Sequence, residues 1–305
     1  MKRFTCLLLT LFLLLSGCTE PQSPVESTTK PVQMAPASTT PESIGELRID
    51  FIDVGQADCA LLECNGAYAL IDAGNTDDGP AVVEFLQERG VKKLDLLVGT
   101  HLHEDHIGGM ADVMQNFPAE TIWFSHTPYY NSVVYRFLGN ADMQGKKPLI
   151  PEVGQTFRLG DALITVLGPL RSDYEDVNDL SLVLMVQYGQ SRILFTGDME
   201  MEAEIDLVES GADLKADLLK VGHHGSYSST CYRFLKAVAP TYAVISVGAA
   251  NEYGLPHQDP LSRLQDAEVT IYRTDKMYTV TAISDGTQIR FSWGNSYAQP
   301  WMPAS

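Results

Sequence analysis

The sequence predicts an α/β sandwich in a single domain, with two β-sheets face to face and helices on the outside. Three observations predict it. Short apolar runs bounded by turn residues alternate with amphipathic helical stretches in two successive series, the pattern of sheets covered by helices. No Pro/Ser/Thr-rich or charged linker interrupts residues 46–293. The composition of the 305 residues, 45% hydrophobic and 20% charged, is that of a globular chain long enough to bury a full core.

Taken in order, residues 1–17 read as an export signal. Lys2 and Arg3 make a positive start, residues 4–15 are largely apolar, and small residues follow. A permanent membrane span needs about 20 apolar residues, so this run is too short for one. Leu15-Ser16-Gly17-Cys18 is similar to a bacterial lipobox, which implies that Cys18 is lipidated and becomes the mature N-terminus. Residues 18–45 are rich in Pro, Ser, Thr and Glu with little to bury, which predicts a flexible tether. The expectation is an exported lipoprotein, anchored by its lipid to the outer face of the cell membrane, or to the outer membrane where the cell has one. Residues 294–305 form a tail.

Residues 47–54, 59–64 and 67–72 read as strands, and Asn65-Gly66 is a hairpin turn between the last two. Residues 79–89 form an amphipathic helix with Val82, Val83, Phe85 and Leu86 inward. The apolar strand 94–98 should be buried on both faces, and residues 107–117 read as the next helix. The second series has strands at 162–167, 181–188 and 192–196, a helix at 202–209, a strand at 218–221, a helix at 232–238 and a strand at 242–247. Strands at 270–272, 279–283 and 288–291 close the domain. Cys59 and Cys64 lie an odd number of residues apart on one strand, so they point to opposite faces and do not bridge. With Cys231 they are expected as small core residues.

There are 21 Lys+Arg against 39 Asp+Glu, a net charge of −18. Such a surface argues against nonspecific wrapping of nucleic acid, which depends on Lys and Arg releasing phosphate counterions. It leaves room for a local anion site built on metal ions.

The chain has 7 histidines, most of them in two short clusters. His101-Leu102-His103-Glu104-Asp105-His106 follows the buried strand. Imidazoles at i and i+2 turn toward one point where a loop leaves a strand end, while Asp105 and His106, opening the next helix, face a second. Neutral imidazoles and carboxylates suit zinc, manganese or iron. Asp198 ends an apolar strand after Gly197, where its carboxylate can bridge two ions. Gly222-His223-His224-Gly225-Ser226 follows another apolar strand. Two adjacent side chains do not easily reach one ion, so one His should ligate and its neighbour brace it.

HLHEDH resembles the HxHxDH motif of the metallo-β-lactamase superfamily. Asp53-Val54-Gly55-Gln56-Ala57-Asp58, Ile71-Asp72-Ala73-Gly74, Thr196-Gly197-Asp198, His223-His224-Gly225-Ser226 and Tyr253-Gly254-Leu255-Pro256-His257 are similar to the hydrolase domain of ComEC-type competence proteins. The resemblance covers about residues 47–292 and implies a metallo-β-lactamase-like αββα sandwich with two divalent ions, zinc or manganese, at one edge of the sheets. It implies His101 and His103 on the first metal, Asp105, His106 and His224 on the second, and Asp198 as the bridge. The superfamily's third His for the first metal is missing, and Asn178 and Asp179 stand near its place. Gln56, Asp58, Asp72, Thr100, His223 and Ser226 are expected to brace the ligands.

Asp105 and His257 are the catalytic candidates. Asp105 would orient a metal-bound hydroxide nucleophile, and His257 would protonate the leaving group or contact phosphate. His126 has no partner motif and reads as a loop residue. Two divalent ions outweigh the ligand carboxylates, so the pocket should attract an anionic substrate such as nucleic acid or another phosphodiester. The expected function is a tethered metal-dependent hydrolase, a phosphodiesterase or nuclease-like enzyme. The alternatives are a catalytically silent lipoprotein that binds DNA or cell wall, and a hydrolase of a lactone or phosphocholine ester.

Overall fold

Side chains that alternate between two covered faces set the first hairpin. Leu47, Ile49 and Phe51 of β1 (Leu47–Phe51) face the space between the sheets, as do Ala60, Leu62 and Cys64 of β2 (Ala60–Cys64), while Leu61 faces outward under the helices. β2 pairs antiparallel with β1 and with β3 (Ala67–Ile71). Asn65 and Gly66 between them both take positive φ, as a two-residue hairpin loop demands. The computed structural model describes residues 45–126 and 130–294. The expected signal, the tether, Cys18 and the tail beyond 294 lie outside the described residues.

From β3 the chain runs through α1 (Gly79–Glu88) to β4 (Leu94–Gly99), then α2 (Glu104–Ile107), α3 (Met110–Asn116) and β5 (Ala119–Phe124). β3, β4 and β5 are parallel. The single helix expected over 107–117 is two short ones. A Cβ on Gly109 would lie 2.2 Å from the Ala73 carbonyl oxygen, and one on Gly108 2.3 Å from the Thr76 amide nitrogen. This close approach to the loop after β3 breaks the helix and fixes α2 beside that loop.

After α4 (Ser132–Met143), β6 (Thr156–Leu159), β7 (Ala162–Gly168), β8 (Val183–Tyr188) and β9 (Ser191–Phe195) form an antiparallel meander. The chain continues through α5 (Met201–Glu209), β10 (Leu218–Lys220), α6 (Tyr232–Val238), β11 (Tyr242–Ile245), α7 (Gln258–Asp266) and β12 (Thr270–Arg273). β9 to β12 pair in parallel. After α8 (Thr274–Met277), β13 (Val280–Ser284) and β14 (Ile289–Trp293) return to the first sheet beside β1. The sheet orders are β14-β13-β1-β2-β3-β4-β5 and β12-β11-β10-β9-β8-β7-β6.

One core lies between the sheets, where Phe51 stacks on Phe195 with ring centroids 5.7 Å apart. A second lies under α1, α3 and α4, and a third under α5, α6 and α7. The result is the expected αββα order of layers. Cys59, Cys64 and Cys231 are free and buried, with Cys59 and Cys64 in different cores. No helix among the described residues is long and apolar enough to cross a membrane.

Candidate metal centre

The loops that follow β3, β4, β9, β10 and β11 converge on one group of side chains. Beyond β4 the backbone turns at His101 and enters α2 with His103 at its N-cap. His101 Nε2 then lies 3.0 Å from His103 Nδ1. His106, inside α2, places Nε2 at 3.3 Å from Asp198 Oδ2 and 3.9 Å from Asp105 Oδ2. His224 Nε2 is 3.2 Å from Asp105 Oδ2 and 3.5 Å from Asp198 Oδ2. Four donors held at 2.0–2.2 Å around a tetrahedral ion sit roughly 3.4 Å from one another, and these spacings bracket that value. His106 Nε2 and Asp198 Oδ1 are buried without a hydrogen-bond partner. Each such orphan costs about 1–3 kcal/mol unless something pairs with it. The four residues therefore fit a metal ion.

Buried partners fix both imidazoles from behind. Asp72 Oδ2 lies 2.8 Å from His106 Nδ1, and Thr100 donates to Asp72 through both its amide, at 2.8 Å, and its hydroxyl, at 2.7 Å. His224 Nδ1 donates to the Ser246 carbonyl at 2.9 Å, with Asp58 Oδ1 at 3.3 Å. The other Asp58 oxygen is 2.7 Å from the buried Lys220 ammonium. Gly197, at φ 52°, brings the chain within 2.9 Å of the Ser181 and Thr100 hydroxyls at the point where a Cβ would stand, and so delivers Asp198 inward. Asp72, His223 and His224 also take positive φ without being glycine, a strain that persists only where surroundings fix it.

Burial works against charge throughout the cluster, yet paired charges override it. Burial lowers the basicity of His106, but the carboxylates of Asp198, Asp72 and Asp105 hold its imidazolium well above the usual range. His224, opposed by burial and favoured by Asp198 and Asp58, is pushed up to about 10. Asp198 and Asp105 stay ionised well below the usual carboxylate range, because the neighbouring histidines outweigh their burial. His101 is the exception: burial and the His106 cation keep it neutral. Four carboxylates thus face imidazoles that carry protons where metal ions would bring charge.

The other sequence-predicted residues fall as follows. Gln56 Oε1 accepts from the Gly248 amide at 3.1 Å and ties the loop after β1 to the loop carrying Ser246. Ser226 and Ser228 pair through their hydroxyls at 2.9 Å, one turn from His224. Asn178 Nδ2 reaches Glu200 Oε1 at 3.4 Å, and Asp179 accepts from the Glu200 amide at 2.8 Å. His223 also contacts Glu200, at 2.8 Å through Nδ1. His257 caps α7 and its Nδ1 accepts from the Tyr227 amide at 3.0 Å. His126 is an exposed loop residue. Sequence reasoning missed Glu200, Lys220 and Ser246. Lys220 left a signal, a single cation inside the apolar run 218–221; Ser246 acts through its backbone, and Glu200 left none.

Fold and centre together define a class. The chain belongs to the metallo-beta-lactamase superfamily, whose profile matches residues 52–249. Among individual relatives, it is 31% identical over 253 residues to ComE operon protein 3 of Bacillus subtilis, covering 77% of this chain and 33% of that protein. It is 30% identical over 242 residues to Competence protein ComA of Neisseria gonorrhoeae, covering 78% of this chain and 33% of that one. The chain thus spans about a third of these relatives' length, and they are ComEC-like competence proteins. Among solved structures, the metallo-beta-lactamase fold protein YhfI of Bacillus subtilis superposes with a TM-score of 0.52 at 13% identity, over 81% of this chain and 100% of YhfI. That likeness shows the fold alone.

Proposed function

We propose that the chain is a metal-dependent phosphodiesterase with a dinuclear centre, held outside the cell membrane by a lipid on Cys18. The observation that carries the hydrolase assignment is the Asp105–His106–Asp198–His224 tetrahedron, in which both imidazoles are anchored at Nδ1 and face carboxylates with Nε2. Two divalent ions bound there, zinc or manganese, supply Lewis acidity and a water nucleophile at neutral pH. His101 and His103 would hold the first ion, Asp105, His106 and His224 the second, and Asp198 would serve both. Asp105 is the least buried of the four, with 30% of its side chain exposed, so it is the one open to substrate and would orient a water there. His257 accepts at Nδ1, which leaves its Nε2–H to hydrogen-bond a phosphate oxygen of the substrate. Its own amide donates to the Gly225 carbonyl at 2.9 Å, which ties it to the His224 turn. The competence relatives, and Recombination protein 2 of Haemophilus influenzae at 29% identity, support nucleic acid as the diester.

A second reading, hydrolysis of a small ester that carries an ammonium group, is favoured by one observation. A cleft of about 520 Å³ beside His223 is lined by Glu175, Asp176, Asp179, Glu200, Glu202 and Tyr227, among others. Carboxylates with an exposed aromatic ring attract an ammonium and repel a polyanion. The test is to load the purified protein with zinc or manganese and assay single- and double-stranded DNA, bis(p-nitrophenyl) phosphate and p-nitrophenyl phosphorylcholine. Metal-dependent cleavage of DNA and of the simple diester, abolished in Asp198→Asn, is the expected result. Turnover of the phosphorylcholine ester alone selects the second reading. No turnover of any substrate with either metal leaves the silent DNA- or wall-binding lipoprotein.

A further inference from the structure

We propose that Tyr227 is the residue on which a base of the substrate stacks, so that the centre acts on nucleic acid whose bases are unpaired. This role rests on the nucleic-acid reading proposed above and specifies how that substrate is held.

Charge is the first observation. The chain has 39 acidic against 21 basic residues, and two cations packed behind these loops are already engaged. Lys220 is buried against Asp58 at 2.7 Å. Arg263 donates to the Ser229, Thr230 and Tyr227 carbonyls at 2.7, 2.8 and 3.3 Å. A strand therefore gains little from phosphate contacts to these side chains, and its affinity needs a contact that does not depend on charge. Stacking of a base on an aromatic ring is such a contact, and every base has a face to offer.

Position is the second. Tyr227 follows His224 by three residues, a length of chain that spans at most about 11 Å. Its side chain is 62% exposed, yet the backbone beneath it is held on both sides. The Tyr227 amide donates to His257 Nδ1 at 3.0 Å, and its carbonyl accepts from Arg263. Ser226 and Ser228 pair through their hydroxyls at 2.9 Å, and Ser228 donates to Glu200 at 2.8 Å. Ser229 donates to the Met199 carbonyl at 2.9 Å, and the Thr230 amide donates to Glu204. A lone exposed tyrosine is ordinary. One carried on a loop pinned from Ser226 to Thr230, beside the centre, is a platform that loses little conformational freedom on binding.

The third observation is what surrounds the ring. His257 lies beside it, with ring centroids 5.1 Å apart. Tyr227 also lines the cleft of about 520 Å³ that carries Glu175, Asp176, Asp179, Glu200 and Glu202. Those carboxylates repel phosphates but not a neutral base, and a carboxylate accepts well from the exocyclic amino group of cytosine. A base laid on Tyr227 turns its amino edge to the cleft and leaves its phosphate on the side of His257. Inside a duplex both faces of a base are covered and its pairing edge is engaged, so this arrangement selects unpaired nucleotides.

The test is fluorescence anisotropy of short, labelled, cleavage-resistant phosphorothioate strands with the manganese-loaded full chain and its Tyr227→Ala and Tyr227→Phe variants. The probes are single-stranded oligodeoxycytidylate, the same strand with abasic residues, and the same strand paired to its complement. Circular dichroism monitors folding. Tyr227→Ala should bind the single strand about 5–150-fold more weakly, and Tyr227→Phe should restore the affinity. The abasic strand should bind wild type as weakly as the intact strand binds Tyr227→Ala, and the duplex should also bind weakly. Equal affinity of wild type and Tyr227→Ala for the single strand overturns the proposal. So does an equal loss on the abasic strand, or a duplex bound as tightly as the single strand. A Tyr227→Ala variant that keeps strand affinity but raises KM for p-nitrophenyl phosphorylcholine makes the ring a cation site, and overturns it too. Failure of the phosphodiesterase reading is a separate result: no metal-dependent turnover of bis(p-nitrophenyl) phosphate by the same wild-type preparation.

Discussion

Asp72 binds three donors at once, the Thr100 amide, the Thr100 hydroxyl and His106 Nδ1, all within 2.8 Å. Burial pushes its carboxyl up and His106 opposes that, so its charge depends on the pair. Asp72→Asn keeps the shape but removes the anion and allows the amide to present N–H to the imidazole. Metal affinity should fall about 10–100-fold with the fold retained, as read by chelator competition beside circular dichroism. Protonation gives a second prediction. His224 has a folded pKa of about 10 against an ordinary 6.5, and His106 is raised in the same sense. Stability from these imidazolium pairs is full below pH 6.5 and is lost as pH rises toward 10. Metal must displace the same protons, so affinity moves the opposite way. The metal-free protein should lose thermal stability from pH 6.5 to 9 while zinc affinity rises, with protons released on binding in calorimetry. A chelated protein that melts higher at pH 9 than at pH 6.5 contradicts both statements.

Between α5 and α6 a buried carboxylate fixes the end of the His223–His224 loop. Glu204 accepts from the amides of Thr230 and Cys231, and Arg263 on α7 donates to the Ser229 and Thr230 carbonyls at 2.7 and 2.8 Å. Burial raises the Glu204 carboxyl to about 7 from 4.5, against the pull of those amides. A raised acid binds its proton more tightly folded than unfolded, so this group's contribution falls as pH rises from 4.5 to 7. Glu204→Gln should abolish that slope, as measured by denaturation midpoints across the window; an equal slope in the variant refutes the assignment. Strands such as β1, β2 and β8 were legible as short, largely apolar runs bounded by turn residues, and β4 because it is apolar but for Asp95. α7 was not, since its first turn is polar and Leu264 is its one fully enclosed apolar side chain. β5 carries Glu120 and Thr121 amid its apolar residues, and α4 has a mixed face, so neither stood out. Within the site, the imidazole and carboxylate motifs were legible because ligand chemistry restricts residue type. Glu200 was not, because only the left-handed turn at His223 brings the two together.

At the scale of the whole molecule, two features decide where the site works and on what. The proposed anchor is Cys18, so Cys18→Ala should shift the protein from the detergent-extracted membrane fraction to the soluble or unprocessed one; an unlipidated wild-type chain beginning at Met1 in mass spectrometry removes the anchor. Charge sets the last expectation. With 39 acidic residues against 21 basic, the net charge of −18 repels a polyanion at long range. The attraction of bound cations is local to the centre. Salt shortens the reach of the repulsion, since the Debye length falls from about 30 Å at 0.01 M to about 8 Å at physiological ionic strength. If nucleic acid is the substrate, kcat/KM should therefore rise as salt is raised through that range. A zwitterionic phosphorylcholine ester feels little net field and should stay flat. A protein that tracks DNA through a basic groove behaves oppositely, losing affinity steeply as counterions compete. Measuring kcat/KM against sodium chloride for both substrates separates these cases: a steep fall on DNA would mean that a local basic track outweighs the acidic surface, and the repulsion argument would fail.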